Sequence, residues 1–357
     1  MPATIETLVD LPYRPATPRS YAPKIGVIGC GGIIKHHLEA YVVAGFDVVA
    51  LCDLDLERAV ASQKAFYPDA KVYTDYHQVL RDVSIEVVDI TTHPPVRPPI
   101  IEAALRAGKH VLSQKPFVLD LDVGQRLVEL AEKQNCYLAV NQNGRWAPHF
   151  SYARLAAASG ILGNVFSAHM ECHWDHTWVA GTEFEKIKHL VLYDYAIHWF
   201  DIVRCFFPGQ NAKRVFASTA RIPEQTLMPD LLGQALIEFE HAQSTLSFDA
   251  GVPYGSLEET YVAGTLGSLH STGSGNQEQR LSVTTAQGRW SPSLQGKWFS
   301  DGFRGTMGEL LCAIEEQRPC TISASDNLHS LALCFAAIAS AEAGAAMVPG
   351  SIRQMPV

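Results

Sequence analysis

A buried strand that runs directly into a glycine turn constrains the fold of this chain more than any other feature. Residues 24–29 have the composition of a buried strand, and a glycine-rich turn and an opening helix follow at once. Glycines at such a turn let backbone amides approach a pyrophosphate, which then lies at the positive end of the helix. The turn expected to hold a dinucleotide consists of Gly29, Gly31, Gly32 and Ile33. Ile34 stands where the fingerprint has a third small residue.

The strand that follows ends in an acidic residue. Residues 46–52 are mostly apolar, and Asp53 follows them, 24 residues after Gly29. A carboxylate here accepts hydrogen bonds from the adenosine ribose hydroxyls and repels a 2′-phosphate, so NAD is expected rather than NADP. The alternative is that Asp53 only caps the helix that begins near Leu54.

Strands alternate with helices up to about residue 142. The strand at 85–92 is followed by a proline-rich loop, a helix that ends before Gly108, and a short strand at 111–116. This alternation predicts a parallel, doubly wound α/β sheet of the Rossmann type, with ligand at the carboxyl ends of its strands.

Beyond residue 148 the predicted strands follow one another with short polar turns. Such spacing predicts a large, mostly antiparallel, open-faced sheet in an α+β domain. The strands are expected at 165–174, 214–221, 234–239, 244–250, 258–264, 268–272 and 280–285. We expect three parts of the chain: an arm at 1–22, an NAD-binding domain at 23–142, and a substrate-binding and oligomerisation domain at 143–357.

Length, charge and cysteine usage narrow the function classes. A chain of 357 residues is long enough for two domains. A net charge of −9 argues against nucleic acid or an anionic membrane as a partner. No apolar run is long enough to span a bilayer, and the eight cysteines contain no Cys-x-x-Cys pair. These features predict reduced thiols and a cytoplasmic location.

Prolines shape the first 22 residues. Pro2, Pro12, Pro15 and Pro18 prevent a regular helix there. Either the segment is a disordered tail, or it is an arm that packs across a neighbouring subunit.

Four segments beyond the glycine turn carry a family resemblance. Residues 103–116 end in Gln114-Lys115-Pro116, and residues 194–201 begin Asp-Tyr-Ala-Ile-His. Together with Asn141–Pro148 and the Ser-Asp-Asn at 325–327, they resemble the Gfo/Idh/MocA oxidoreductases, named after glucose–fructose oxidoreductase and inositol dehydrogenase. The match runs from about Lys24 to Gly344.

The resemblance implies roles for residues of this chain. It implies His198 as base, Asp194 as a substrate ligand that orients His198, and Lys115 as a donor to the substrate oxygen, with a cis bond between Lys115 and Pro116. It also implies that the open sheet builds a homodimer or homotetramer. Further cofactor contacts are expected from Thr92, His93, Gln114, Lys115 and Asn143. The chain departs from the family's usual glutamate, proline, asparagine and histidine at Gln114, His93, Pro94 and Arg97, respectively.

The spacing of Asp194 and His198 suits acid–base chemistry. On an α-helix the two residues would share one face, with Asp201 on the same face one turn further on. An imidazole titrates near neutral pH and can take an alcohol proton. The alternatives are a surface ion pair or a buried structural pair.

Aromatic residues near 174–178 are candidates for a substrate cleft. Trp174, His176 and Trp178 can offer apolar faces to a sugar ring. Arg145 is a further candidate, with a structural contact at the domain junction as an equal alternative. The nearby acidic residues and histidines at 169–176 could suggest a metal, but they lack the spacing of a zinc site, and none is expected.

These features predict an NAD-dependent dehydrogenase that oxidises a secondary hydroxyl of a sugar, a sugar derivative or a cyclitol. The first alternative is a glycosidase or epimerase that uses NAD for transient oxidation. The second is a non-catalytic NAD-binding regulatory protein.

Overall fold

The computed structural model describes residues 11–273 and 278–356. They form two compact units. The glycine-loop unit comprises residues 14–146 and 298–328. The large-sheet unit comprises the described parts of 147–297 and 329–357, together with residues 11–13. The domain boundaries expected from the sequence remain a prediction.

A six-stranded parallel sheet forms the centre of the glycine-loop unit. Its strands are β1 (Lys24–Ile28), β2 (Asp47–Cys52), β3 (Lys71–Tyr73), β4 (Ile85–Ile90), β5 (His110–Ser113) and β6 (Leu138–Val140). They lie in the order β3-β2-β1-β4-β5-β6, so the order reverses at β1. In open α/β sheets, ligands bind beyond the carboxyl ends of the strands at such a reversal. The predicted doubly wound sheet is confirmed.

Aspartates cap the N-termini of three helices of this unit. The helices are α1 (Ile34–Ala44), α2 (Leu56–Phe66), α3 (Tyr76–Arg81), α4 (Arg97–Arg106), α5 (Leu121–Lys133) and α8 (Trp298–Glu316). Asp55, Asp75 and Asp120 each accept a backbone N–H from the first turn of α2, α3 and α5. Such caps satisfy donors that have no partner inside the helix.

Helix α8 was not predicted from the sequence, because three glycines interrupt it. A Cβ on Gly305 would lie 2.2 Å from the Trp146 ring, and one on Gly308 would lie 2.2 Å from the carbonyl of Ala16. A Cβ on Gly302 would lie 2.8 Å from the carbonyl of Asn143. The glycines therefore allow the helix to approach its neighbours closely, and this packing outweighs their poor helix propensity.

The arm residues from Arg14 to Tyr21 lie along α8 of their own chain. The N–H groups of Arg19, Ser20 and Tyr21 donate to the carboxylate of Glu315, at 2.6–2.8 Å. These bonds, with the Ser20 hydroxyl, lower the pKa of Glu315 to about 2. The expectation for residues 1–10 lies outside the described residues.

An eight-stranded mixed sheet dominates the large-sheet unit. Its strands are β7 (Val165–His173), β8 (Arg214–Ala220), β9 (Leu232–Glu238), β10 (Gln243–Asp249), β11 (Leu257–Gly264), β12 (Gly267–Thr272), β13 (Arg280–Thr285) and β14 (Gly288–Trp290). The order is β14-β13-β12-β11-β7-β10-β9-β8, and among the described strands of this sheet only β7 and β10 pair in parallel. The predicted, mostly antiparallel sheet is confirmed.

Helices line the buried face of this sheet. They are α6 (Pro148–Ala158), α7 (Ile197–Phe206) and the part of α9 (Ala324–Ala343) that belongs to this unit. Alternate residues of the central strands are buried, among them Met170, Leu246 and Val262. Within the described ranges, no helix is both long and apolar enough to cross a membrane.

The contact beneath Gly305 gives a stability prediction. Gly305→Ala should lower the free energy of unfolding by about 2 kcal/mol, because the overpacking at Trp146 exceeds the gain in helix propensity. Denaturant unfolding measures the change. The control Gly32→Ala adds a Cβ that meets nothing within 4 Å among the described atoms, and it should cause no loss of stability. A more stable Gly305→Ala would contradict this explanation of α8.

Candidate active site

The glycine turn after β1 has one position that only glycine can occupy. Gly29 has φ +105°, and a Cβ there would lie 2.7 Å from Oγ1 of Thr91. The Thr91 hydroxyl donates to the carbonyl of Gly29 at 2.6 Å. An added Cβ on Gly31 or Gly32, by contrast, meets no described atom within 4 Å. The backbone at these two residues is therefore open to a ligand.

Asp53 supports this turn and does not cap the following helix. Its Oδ2 accepts the N–H of Cys30 at 2.6 Å, and its Oδ1 accepts the N–H of Asp55 at 2.9 Å. The cap of α2 is Asp55, whose carboxylate accepts the N–H of Glu57 at 3.0 Å. The capping alternative for Asp53 is therefore wrong. Burial, with the charge of Asp53 adding, raises the pKa of the Cys30 thiol to about 12, which keeps the thiol neutral.

The segment after β5 is held by a buried arginine. Arg97, 1% exposed, donates to the carbonyls of Gln114 and Pro116, and to that of Phe117 at 3.3 Å. It also donates through Nε to the carbonyl of Thr92 at 2.9 Å. One guanidinium therefore joins the loops that follow β4 and β5.

Lys115 lies within this held segment. Its side chain is half-buried, and its bond to Pro116 is cis, as the resemblance implied. Its backbone N–H donates to Oε1 of Gln114 at 3.1 Å. His93 is exposed and precedes the short 3₁₀ turn that leads into α4.

Asp194 and His198 do not share one α-helix. Val191–Tyr195 forms a π-helical turn closed by a bond from the N–H of Ala196 to the carbonyl of Val191, at 2.7 Å. Helix α7 begins only after this turn. Because a π turn contains one more residue than an α turn, the expected common α-helical face is wrong. Asp194 lies in the π turn, half-buried, and His198 lies in the first turn of α7, 8% exposed.

Asp201 has a structural partner within its own unit. It is 1% exposed and accepts the hydroxyl of Ser330 on α9 at 2.9 Å. Arg204 donates to the same hydroxyl oxygen at 2.9 Å. These bonds fasten α7 to α9 and so fix the helix that carries His198.

Tyr195, in the π turn, is surrounded by aromatic rings. Its ring centroid lies 4.7 Å from that of His176, 5.0 Å from that of Trp199 and 5.7 Å from that of Trp174. Its hydroxyl lies 2.8 Å from Sγ of Cys172. Burial raises the pKa of both groups, so both stay protonated. Trp174 and His176 thus lie around the turn that carries Asp194.

The proton position on His176 follows from its neighbour. Nε1 of Trp178, a side chain 58% exposed, donates to Nδ1 of His176 at 3.3 Å. An indole nitrogen can only donate, so Nδ1 accepts and the ring proton of a neutral His176 lies on Nε2.

Arg145 and Asn143 have partners within the glycine-loop unit. Arg145 donates to the carboxylate of Asp326 at 2.6 Å and to the carbonyl of Thr321. Oδ1 of Asn143 accepts the indole N–H of Trp298 at 2.8 Å. These contacts favour the structural alternative for Arg145, and the cofactor contact of Asn143 remains a prediction. Within the described ranges, no three His, Cys, Asp or Glu side chains are grouped to hold a metal.

Comparisons with known proteins decide the family. A family model described as "Oxidoreductase family, NAD-binding Rossmann fold" matches residues 23–142, and the "GFO/IDH/MocA C-terminal domain" matches residues 150–270. Together the matches cover more than half of the chain. The chain belongs to the Gfo/Idh/MocA oxidoreductase family. The resemblance in its motifs is thereby confirmed.

Two curated members of the family show the level of similarity. D-apiose dehydrogenase of Paraburkholderia graminis is 31% identical over 201 residues, 56% of this chain and 53% of that protein. Inositol 2-dehydrogenase of Salmonella typhimurium is 29% identical over 224 residues, 59% of this chain and 64% of that protein. The matches thus span between half and two thirds of these relatives.

A solved structure of the family confirms the fold. An oxidoreductase from Agrobacterium radiobacter, in complex with NAD⁺, L-tartaric acid and magnesium, superposes with a TM-score of 0.83 at 22% identity. The match covers 92% of this chain and 99% of that one.

NAD is the cofactor of this family member, as predicted. The loops that follow β1 and β4 fit NAD in three respects. The backbone at Gly31 and Gly32 is open, and the residue before α1, Ile33, provides no side-chain cap to that helix. Oγ1 of Thr92 is buried and has no hydrogen-bond partner among the described residues. Polar groups of this kind suit a pyrophosphate and its riboses.

Sequence reasoning missed two residues that shape the site. Arg97 was noted only as a departure from the family pattern, and a charged residue among prolines gave no sign of its carbonyl partners. Tyr195 was not singled out, because a tyrosine at this position in the sequence is typical of a core residue. Both residues act through neighbours distant in sequence.

The Arg97 contacts predict a specific sensitivity. Arg97→Lys should lower the free energy of unfolding by about 3 kcal/mol, because an ammonium cannot match the planar fork and leaves buried carbonyls without donors. Urea unfolding measures this. Arg106→Lys, on the exposed face of α4, should change stability by no more than about 0.5 kcal/mol. Equal stability of the two variants would refute the role given to Arg97.

Proposed function

We propose that this chain is an NAD-dependent dehydrogenase that oxidises a secondary hydroxyl of a sugar, a sugar derivative or a cyclitol. The observation that carries the proposal is the π turn, because it contains Asp194 next to Tyr195, whose ring packs against that of His176, and it leads directly into the helix of His198. Membership of an oxidoreductase family with an NAD-binding domain supports the redox chemistry.

In this proposal, three side chains have separate chemical roles. His198 takes the hydroxyl proton as the substrate C–H bond breaks, since an imidazole titrates near neutral pH. Asp194 accepts a substrate hydroxyl and orients His198. Lys115 donates to the substrate oxygen and stabilises its developing negative charge. NAD, when bound, accepts the hydride.

The substrate class rests on the aromatic cluster and on the relatives. Trp174, which is half-buried, and Trp178, which is 58% exposed, offer ring faces suited to the C–H face of a polyol ring. The two curated relatives carry the names of an apiose and an inositol dehydrogenase. We therefore propose a ring-shaped polyhydroxylated substrate.

The outer face of the large sheet supports a second copy as partner. Phe216, Leu236, Thr245, His169 and Tyr261 lie opposite one another in one row across five strands. Within this row, Phe216, Leu236 and Tyr261 are 42–47% exposed. Three exposed apolar side chains in one such row are suited to a subunit interface, and we propose a homodimer or homotetramer. The eight cysteines, all in the described residues and all free thiols, fit the reducing cytoplasm that we propose as its location.

The roles of His198 and Lys115 can be tested together. The wild-type enzyme, given NAD and a panel of sugars, uronates and inositols, should produce absorbance at the NADH band. His198→Asn and Lys115→Ala should lower kcat by roughly 100- to 10,000-fold on the best substrate, because each removes a group that acts in the transition state. The affinity for NADH, measured by fluorescence, should change far less with His198→Asn.

An exposed histidine provides the matched control. His77→Asn on α3 should keep the wild-type rate. The proposal would be refuted if the wild-type enzyme oxidised no compound in the panel, or if His198→Asn kept the wild-type kcat. Release of free sugar without net NADH would point to the glycosidase class.

The charge of Asp53 should set the preference for NAD over NADP. Asp53→Asn keeps an acceptor for the N–H of Cys30 but removes the repulsion of a 2′-phosphate. The ratio of the Kd values for NADPH and NADH should therefore fall by about tenfold or more. Fluorescence titration measures both constants. Asp55→Asn, two residues on, preserves a good helix cap and should keep the wild-type ratio.

A further inference from the structure

A chain of hydrogen bonds, buried up to its last member at Lys115, crosses the glycine-loop unit. Nδ1 of His37 lies 2.7 Å from Oδ2 of Asp89, and both side chains are 0% exposed. Nδ2 of Asn141 lies 3.2 Å from Nε2 of His37 and 2.7 Å from Oε1 of Gln114. The same Oε1 accepts the backbone N–H of Lys115 at 3.1 Å. The chain thus joins α1, the helix of the glycine loop, to the backbone of Lys115.

The direction of every bond follows from the one at Lys115. A backbone N–H can only donate, so Gln114 must present its oxygen to it. That oxygen needs a donor from Asn141, which is its Nδ2. The other Nδ2 hydrogen then points to Nε2 of His37, which must accept. The ring proton of His37 therefore lies on Nδ1 and is donated to Asp89.

Two further donors agree with this direction. The hydroxyl of Thr306, 0% exposed, donates to Oδ1 of Asn141 at 2.8 Å, which places the oxygen of that amide away from His37. The hydroxyl of Tyr41 donates to Oδ2 of Asp89 at 2.7 Å. Burial raises the pKa of Tyr41, which keeps this phenol a donor.

We propose that His37 and Asn141 are positioning residues for Lys115. Neutral His37, with its proton on Nδ1, fixes the amide of Asn141, and this amide fixes Gln114 as the acceptor for Lys115. The proposal rests on the proposed function in so far as it concerns catalysis. The placement of the protons does not depend on that function.

An isosteric change breaks the chain at one place. Asn141→Asp puts an oxygen opposite Oε1 of Gln114, where two acceptors cannot bond. It also puts an oxygen opposite Nε2 of His37, which favours a proton on that nitrogen. If the amide of Gln114 rotates to donate to the new carboxylate, its nitrogen faces the N–H of Lys115. Either way, the chain of bonds to Lys115 is lost.

The proton positions are measured first, by ¹⁵N NMR of histidine-labelled, NAD-bound enzyme. The signals of His37 are assigned by comparison with His37→Gln. In the wild type we expect a protonated Nδ1 and a bare Nε2, and in Asn141→Asp a proton on Nε2. A wild-type His37 with its proton on Nε2, or on both nitrogens, overturns the proposal whatever the activity of the enzyme.

Kinetics test the link to Lys115. Asn141→Asp should lower kcat by roughly 10- to 100-fold, as expected for a misplaced catalytic group, with the KM for NAD within about threefold of the wild type. The control Asn211→Asp, in an exposed loop, should match the wild type. An unchanged kcat in folded Asn141→Asp overturns the positioning role. If that variant does not fold, the wild-type proton positions decide. A wild type that oxidises no polyol refutes the proposed function alone.

Discussion

The buried guanidinium of Arg97 is the interaction on which the cofactor loops of the glycine-loop unit depend. A charge that is 1% exposed must recover its lost hydration from the protein. It does so through carbonyls of the loops after β4 and β5, including those of Thr92, Gln114 and Pro116. Adjacent parallel strands end at the same edge of a sheet, so their following loops have carbonyls to satisfy there. One planar fork satisfies several of them and thereby fixes the backbone on both sides of Lys115.

Local chemistry explains which features could be predicted from the sequence. The turn at Gly29 requires φ above zero, and Asp53 is bonded to the amide of the next residue in that turn. The alternation of strands and helices follows from the periodicity of apolar residues, and so both sheets could be predicted. In each case the residues that determine the structure lie within one or two elements of each other in sequence.

Features set by distant contacts could not be predicted. The glycines of α8 lower helix propensity, and only their close contacts with Asn143, Trp146 and Ala16 show why they are needed. The π turn before α7 gives no signal in a spacing of four residues between Asp194 and His198, because an inserted residue is visible only in the backbone bonds. The candidate residues could therefore be named from the sequence, but their geometry could not.

Groups that can only donate hydrogen bonds fix the direction of the hydrogen bonds around candidate residues in each unit. In the glycine-loop unit the backbone N–H of Lys115 fixes Gln114, Asn141 and His37 in turn. In the large-sheet unit the indole N–H of Trp178 fixes the proton of neutral His176 on Nε2. A buried imidazole whose tautomer is fixed in this way can support its neighbours but cannot take a proton without breaking those bonds. By this argument, His37 and His176 are poorly suited to act as general bases, which is consistent with the role that we propose for His198.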